Sequence, residues 1–237
     1  MKTQAASATA TTFSAADLAE RTIHRRAVEA VIWGMPAVNA ELMYQAMADA
    51  KADFNQLTYW SRPVTAKNQT LTPNPDTIYL NPYYNTTDGP IVLEIPAASE
   101  NGSITGSVDD AWQTAIEDVG PAGVDKGKGG KYAILPPGYK DKLPDGYLPM
   151  QSATYTGFAI LRSNLKSGSE EDIAKAVSYG KEGIKVYPCL RQRIRPRPNT
   201  STSSTRNLIR RSLTICAFLR CSTALCSESP GSSATRS

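Results

Sequence analysis

A single histidine, His24, serves a chain of 237 residues, and no cysteine precedes position 189. A Ser-His-Asp triad or a metal site with several imidazole ligands would have to be built around that one side chain. His24 sits between Ile23 and Arg25-Arg26 with no evident partner, so it reads as a surface histidine. A cysteine nucleophile is excluded from everything before Cys189. The four cysteines, Cys189, Cys216, Cys221 and Cys226, are spaced by five and five after the first gap and have no histidine near them, which matches no zinc pattern. No metal site is expected, and the residues name no cofactor. No stretch approaches the roughly 20 apolar residues of a membrane-spanning helix, so no transmembrane segment is expected. The first 13 residues are rich in Ala, Ser and Thr without a leucine-rich core. They read as a flexible leader and not as a working signal peptide.

Other absences are confined to one end. Beyond Pro188 there is no Lys, Val, Tyr, Trp or Asp, and Glu228 is the only acid, while 16 of the last 49 residues are Ser or Thr. The net charge is −4 up to Pro188 and +8 after it, so the overall +4 comes wholly from the tail. A basic, serine-rich tail is one form of nucleic-acid or membrane-surface tether. Here the polar, core-poor composition points instead to a segment that folding has not shaped, and no nucleic-acid partner is expected. Residues 189–237 are read as unstructured.

What is present before that break has the pattern of a folded protein. Ser14-Ala15-Ala16-Asp17 resembles a capping box and opens a helical region over residues 14–56. Gly34 and Pro36 predict a break between two helices there. The second, over residues 37–50, would turn Val38, Leu42, Ala46 and Met47 inward. From residue 57 the period changes to that of strands. Segments 77–84, 91–95, 103–112, 131–135 and 157–161 read as β, punctuated by Asn85-Thr86-Thr87-Asp88-Gly89, Pro136-Pro137-Gly138 and Pro144-Asp145-Gly146. Short strands without intervening helices favour an antiparallel sandwich over residues 57–188. A later helix starts near Ser169, with Ile173, Val177 and Ile184 expected against the sheet and Gly180 and Gly183 weakening its last turns. The fold class is α+β, mainly β.

Chemistry must then come from carboxylates, tyrosines and lysines. Asn74-Pro75-Asp76-Thr77-Ile78-Tyr79 stands where a turn enters a strand, so Asp76 and Tyr79 could meet a ligand from one rim. The same residues equally build an Asx-turn. In Asp125-Lys126-Gly127-Lys128-Gly129-Gly130-Lys131, glycine amides and Lys128 could cradle an anion. That run is not a P-loop, since Tyr132 and a strand follow it, and a mobile hairpin loop is the plainer reading. Asp76, Tyr79 and Lys128 are therefore the catalytic candidates. Trp60, Arg62, Asn74 and Trp112 are the ligand-binding ones, although large aromatics also serve as core. A small-molecule ligand is the expected partner, and the sequence gives no oligomeric state.

Several motifs together carry a family resemblance. They are Arg26-Ala27-Val28-Glu29-Ala30-Val31-Ile32-Trp33-Gly34-Met35-Pro36, Tyr59-Trp60-Ser61-Arg62-Pro63, Thr72-Pro73-Asn74-Pro75-Asp76-Thr77-Ile78-Tyr79, and Ile134-Leu135-Pro136-Pro137-Gly138-Tyr139. With them, residues 20–188 resemble the bacterial domain-of-unknown-function family 1254. The resemblance implies a short helical N-terminal region and an immunoglobulin-like β-sandwich. Such proteins usually continue into a jelly-roll-like domain, family 1214, and many look exported to the periplasm or envelope. No catalytic residues come with the family. Its expected second part is missing here, and a one-base shift accounts for the loss. Read one base earlier, residues 212–217 permit Pro-Tyr-Asp-Met-Arg, and residues 224–235 permit Ile-Val-Gln-Arg-Glu-Pro-Trp-Leu-Glu-Arg-Asp. The expectation is a frameshift near residues 187–190. It would leave a truncated, inactive member of a family of small-molecule-processing enzymes with a site between two β-domains. The alternative is a non-catalytic binding or cell-envelope-associated sandwich.

Overall fold

The computed structural model describes residues 13–65 and 73–189. It divides into two compact units after Pro36, within the first helix. That helix, α1, spans Ala15–Asp49. Its start is a reciprocal cap: the Asp17 amide donates to Ser14 Oγ (3.1 Å) and the Ser14 amide and hydroxyl donate to Asp17 Oδ2 (3.0 and 2.7 Å). The expected break at Gly34-Pro36 is absent. Proline removes one N–H and crowds the carbonyl four residues back, but the helix-forming residues on either side keep their own rungs and helical assignment runs through Pro36. Ala40, Ala46 and Met47 are buried as a face, whereas Val38, expected inward, is exposed. The helix ends where Lys51 takes a left-handed φ of 71° and the Ala52 amide reaches back to the Met47 carbonyl at 3.1 Å.

Nine strands follow: β1 Thr77–Leu80, β2 Tyr83–Asn85, β3 Ile91–Ile95, β4 Ile104–Asp110, β5 Ala115–Val119, β6 Gly130–Leu135, β7 Tyr147–Gln151, β8 Thr156–Asn164 and β9 Lys185–Pro188, with helix α2, Glu170–Gly183, before the last. One sheet runs β1-β8-β4-β5 with β2 also on β8; the other runs β7-β6-β3-β9. Leu80, Ile104, Val108 and Leu161 from the first sheet share one buried cluster with Leu93, Ile95, Tyr132 and Ile134 from the second. The protein is therefore a two-sheet sandwich with added helices, α+β and mainly β. The expected antiparallel pairing holds except at β6–β7, which is parallel. The long segment 77–84 divides into β1 and β2 because Asn81-Pro82 interrupts it, proline having no N–H for a ladder.

Ser169 caps α2 as its sequence predicts, accepting from the Asp172 amide. The face turned to the sheet is only partly the expected one: Ile184, just past the helix, is buried in the core as expected. Ala176 and Gly180 are buried, and a Cβ on Gly180 would lie 2.8 Å from Leu80 Cδ2. The glycine that weakens the helix locally is what lets it approach β1. Ile173 and Val177 instead line an open groove of about 300 Å³ with Ser61, Arg62 and Lys181.

Close approach also fixes Gly106 in β4, at φ +153°, where a Cβ would stand 2.1 Å from the Ile160 carbonyl oxygen. Gly106→Ala is expected to destabilise the sandwich by roughly 2–4 kcal/mol in urea unfolding. Gly138→Ala, at φ +73° with open space around it, should cost only about 1 kcal/mol. Equal costs at the two positions would contradict this packing.

Candidate functional site

Cross-strand register decides which side chains share a face, since neighbours on a strand alternate. Tyr79 and Thr105 both pair with Arg162, Ser107 pairs with Ile160 and Asp118, and Tyr83 and Asp109 both pair with Phe158. Val108 and Leu161 point into the core. These residues therefore occupy the outer face of the five-stranded sheet. Its β2 end is apolar, where Tyr83 and Phe158 cluster with Ala40, Met47, Ala50 and Ala52. The rest of the face carries the polar strip Arg162, Thr105, Ser107 and Asp118.

Most of the rim residues expected from the sequence meet at one end of this face. The Asn74 amide donates to the Tyr79 hydroxyl at 2.8 Å, and the Asp76 amide donates to Asn74 Oδ1 at 2.8 Å. The Asx-turn is thus real, and it also holds Tyr79. Trp60 lies edge-on to Tyr79 with centroids 6.3 Å apart, and the Trp60 amide donates to the Tyr79 carbonyl. The Arg162 guanidinium stands 5.4 Å over the Tyr79 ring. Trp60 Nε1 is buried and has no partner among the described residues. Arg62 leaves this cluster to pair with Glu170 at 2.9 Å, both side chains exposed.

Lys128 does not join them. It lies beyond β5, three strands across from β1, in a loop closed from inside by its own acid. Buried Asp125 accepts from the Gly120 amide (2.7 Å) and the Gly129 amide (2.8 Å). Those amides are spent on Asp125 and cannot cradle an anion, and the loop expected to be mobile is tied at both ends. Trp112 lies at the other end of the sheet, in the β4–β5 turn, where its amide and that of Thr114 donate to Asp110 Oδ1.

The most perturbed acid escaped the sequence reading. Asp109 is 8% exposed, and its Oδ2 is buried with no hydrogen-bond partner among the described residues. Burial pushes its carboxyl up to about 6, helped by the charges of Asp110 and Asp118. Those two neighbours are supplied with donors, Asp110 from the turn amides and Asp118 from the Ser107 hydroxyl at 2.7 Å. Asp109 is left to hold the proton. The pairing register of β4 with β5 shifts beside it, between Val108 and Asp109, and such irregularities re-aim side chains next to sites. In sequence, Val108-Asp109-Asp110-Ala111 reads only as a strand end followed by a turn. The signal lies in burial, which needs the partner strands. Among the described residues, no group of three or more His, Cys, Asp and Glu is arranged to hold a metal ion, and no helix is long and apolar enough to cross a membrane.

Comparison with known proteins gives a family and a fold. The family model described as "Protein of unknown function (DUF1254)" matches residues 54–188. No curated protein matches the chain. The crystal structure of the VPA0106 protein from Vibrio parahaemolyticus is similar, with a TM-score of 0.53 and 14% identity over 87% of this chain and 52% of that one. An uncharacterised protein from Burkholderia cenocepacia gives a TM-score of 0.37 and 11% identity over 75% of this chain and 47% of that one. The chain thus spans about half the length of both of these solved structures.

The acid on the outer face has a consequence for stability. Folding raises the carboxyl of Asp109 from its ordinary 3.8 to about 6, so the native state binds this proton more tightly than the unfolded chain. Its contribution is complete below pH 4 and is lost as the pH climbs through 6, by about 2–3 kcal/mol in all. Asp109→Asn is expected to raise Tm at pH 7.5 and to leave it unchanged or lower at pH 4. A Tm difference independent of pH would show that Asp109 does not carry this proton.

Proposed function

The chain belongs to the DUF1254 family, whose function is unknown, and from that premise we propose that it is the sandwich half of a small-molecule-processing enzyme, with proton transfer handled on the outer face of its five-stranded sheet. The observation that carries this reading is Asp109: a buried carboxyl with one unpaired oxygen, poised near neutrality. A general acid–base group works best when its pKa lies near the working pH. Tyr79 stands about 13 Å further along β8 by strand rise, opposite Arg162, which offers a charge to an anionic substituent, and Asp76 lies beyond it, just before β1. A second β-domain laid over this face would enclose the strip and exclude water. Lys128 has no part in this reading.

In the same proposal this chain is inactive because its reading frame shifts just after the sandwich. Three boundaries support that: β9 ends at Pro188, the family match ends at residue 188, and the composition changes at Cys189. The alternative, a non-catalytic binding or envelope-associated module, is favoured by one feature, a small pocket lined by aromatic rings.

Sequencing the gene across codons 187–190 is expected to reveal a one-base insertion or deletion relative to related genes; related genes with the same tail in frame would refute the shift. With the frame restored, the protein should convert a component of metabolite pools. Asp109→Asn should lower that turnover at least ~100-fold, and Asp76→Asn should lower it less. Binding without turnover would instead support the module.

A further inference from the structure

The aromatic pocket lies where residues 37–44 of α1 meet Phe54, Tyr83, Ala111 and the first residues of β8. Its volume is about 50 Å³ and it opens on one side. A single water takes roughly 10–15 Å³ of such space, so the pocket admits a head group of about four heavy atoms while the rest of a ligand projects outward.

Four rings line it in an unbroken series. Phe54 stacks on Tyr44 at 3.9 Å, Tyr44 meets Tyr83 at 5.7 Å, and Tyr83 meets Phe158 at 5.8 Å. Ring faces are electron-rich and attract cations. Glu41 is the only charged residue in the lining, held by a hydrogen bond from Gln45 Nε2 at 3.0 Å. The Tyr44 hydroxyl donates to Asp53 Oδ1 at 3.4 Å, so a second carboxylate lies at the edge of that ring, and among the described residues neither Lys nor Arg lines the pocket to balance the two. An anion would be repelled here. A purely apolar group would gain nothing from the Glu41 carboxylate.

We propose that this pocket binds the protonated ammonium head of a small amine, with the positive charge against the Tyr44 and Tyr83 rings and Glu41. The proposal stands whether or not the outer face of the sheet is catalytic, because it invokes neither Asp109 nor turnover.

The test is a titration of the full ¹⁵N-labelled chain at pH 7 and constant ionic strength with propylammonium chloride, 1-propanol and tetramethylammonium chloride. Propylammonium is expected to shift the amides of Tyr83, Gly157 and Phe158 saturably, with a Kd of about 1 mM, as befits so small a head group. 1-Propanol should bind at least ~10-fold more weakly, and tetramethylammonium, which carries the same charge as propylammonium, should also bind more tightly than 1-propanol. Glu41→Gln, at an exposed position that keeps its bond to Gln45, should weaken propylammonium binding ~3- to 10-fold without shifting Tm. Equal affinity for propanol, an unchanged Kd in the Glu41 variant, or no saturable shift up to ~50 mM propylammonium would each overturn the assignment.

Discussion

One hydroxyl group inside the sandwich holds the elements around the site in register. Tyr84 reaches from β2 into the core, donates to the Asp109 carbonyl at 3.0 Å, and lies 3.1 Å from the Ser152 hydroxyl at the end of β7. It thereby ties three strands and both sheets at one point. A buried polar group costs free energy unless it is paired, and this one is paired to both sheets. The tie depends on Gly157: a Cβ there would stand 2.2 Å from the Tyr84 oxygen and 2.4 Å from the Asp109 carbonyl oxygen. Burial pushes the Tyr84 hydroxyl up to about 12, so it keeps its proton across the physiological range.

That bond also explains how Asp109 comes to lack a partner. Its backbone is anchored on the core side by Tyr84, and strand alternation sends its side chain to the other face, opposite Phe158. The Ser152-Thr154 loop is knotted to the same corner: the Thr154 amide donates to Ser152 Oγ at 3.2 Å, and the Ala111 amide donates to Thr154 Oγ1 at 3.0 Å. At the β4–β5 turn the Trp112 and Thr114 amides go to Asp110 and the Ala111 amide to Thr154. Like charges on Asp110 and Asp118 then favour the protonated form of the one acid left unpaired. The perturbation follows from how a tight corner allots its donors.

What could be read from the sequence was local, and what was missed depended on partners distant in the chain. The capping residues Ser14, Asp17 and Ser169, the strand 91–95 and the Asn74-Asp76 turn are set by neighbours within about four residues, and they stand where the pattern puts them. β5, β7 and β9 went unread. β5 begins at an exposed Ala115, β7 contains Pro149, and β9 pairs with β3 some 90 residues earlier. Gly180 and Gly183 carry the same lesson. By propensity they weaken α2, yet they let it settle onto Leu80 and Pro96. Of the site, the Tyr79 rim was visible because a turn announces it. Asp109 and the aromatic pocket were not, because burial and ring contacts join segments 37–54, 83 and 109–111 to 156–158.

The outer face therefore divides into two chemistries on one sheet. Around Tyr83 and Phe158 the rings crowd together under the end of α1, and charge enters only as carboxylates at the edge. Further along β8, Arg162 over Tyr79 and the Thr105-Ser107-Asp118 strip are polar and at most half-buried. Asp109 stands at the seam, with Phe158 on one side and Asp118 within electrostatic reach on the other. An exposed carboxyl would ionise cheaply in water. At this seam it does not, because the apolar half withholds solvent while the polar half supplies only negative charge. Its raised pKa thus reports the boundary itself, and anything that widened the apolar half or covered the polar one would push it higher still.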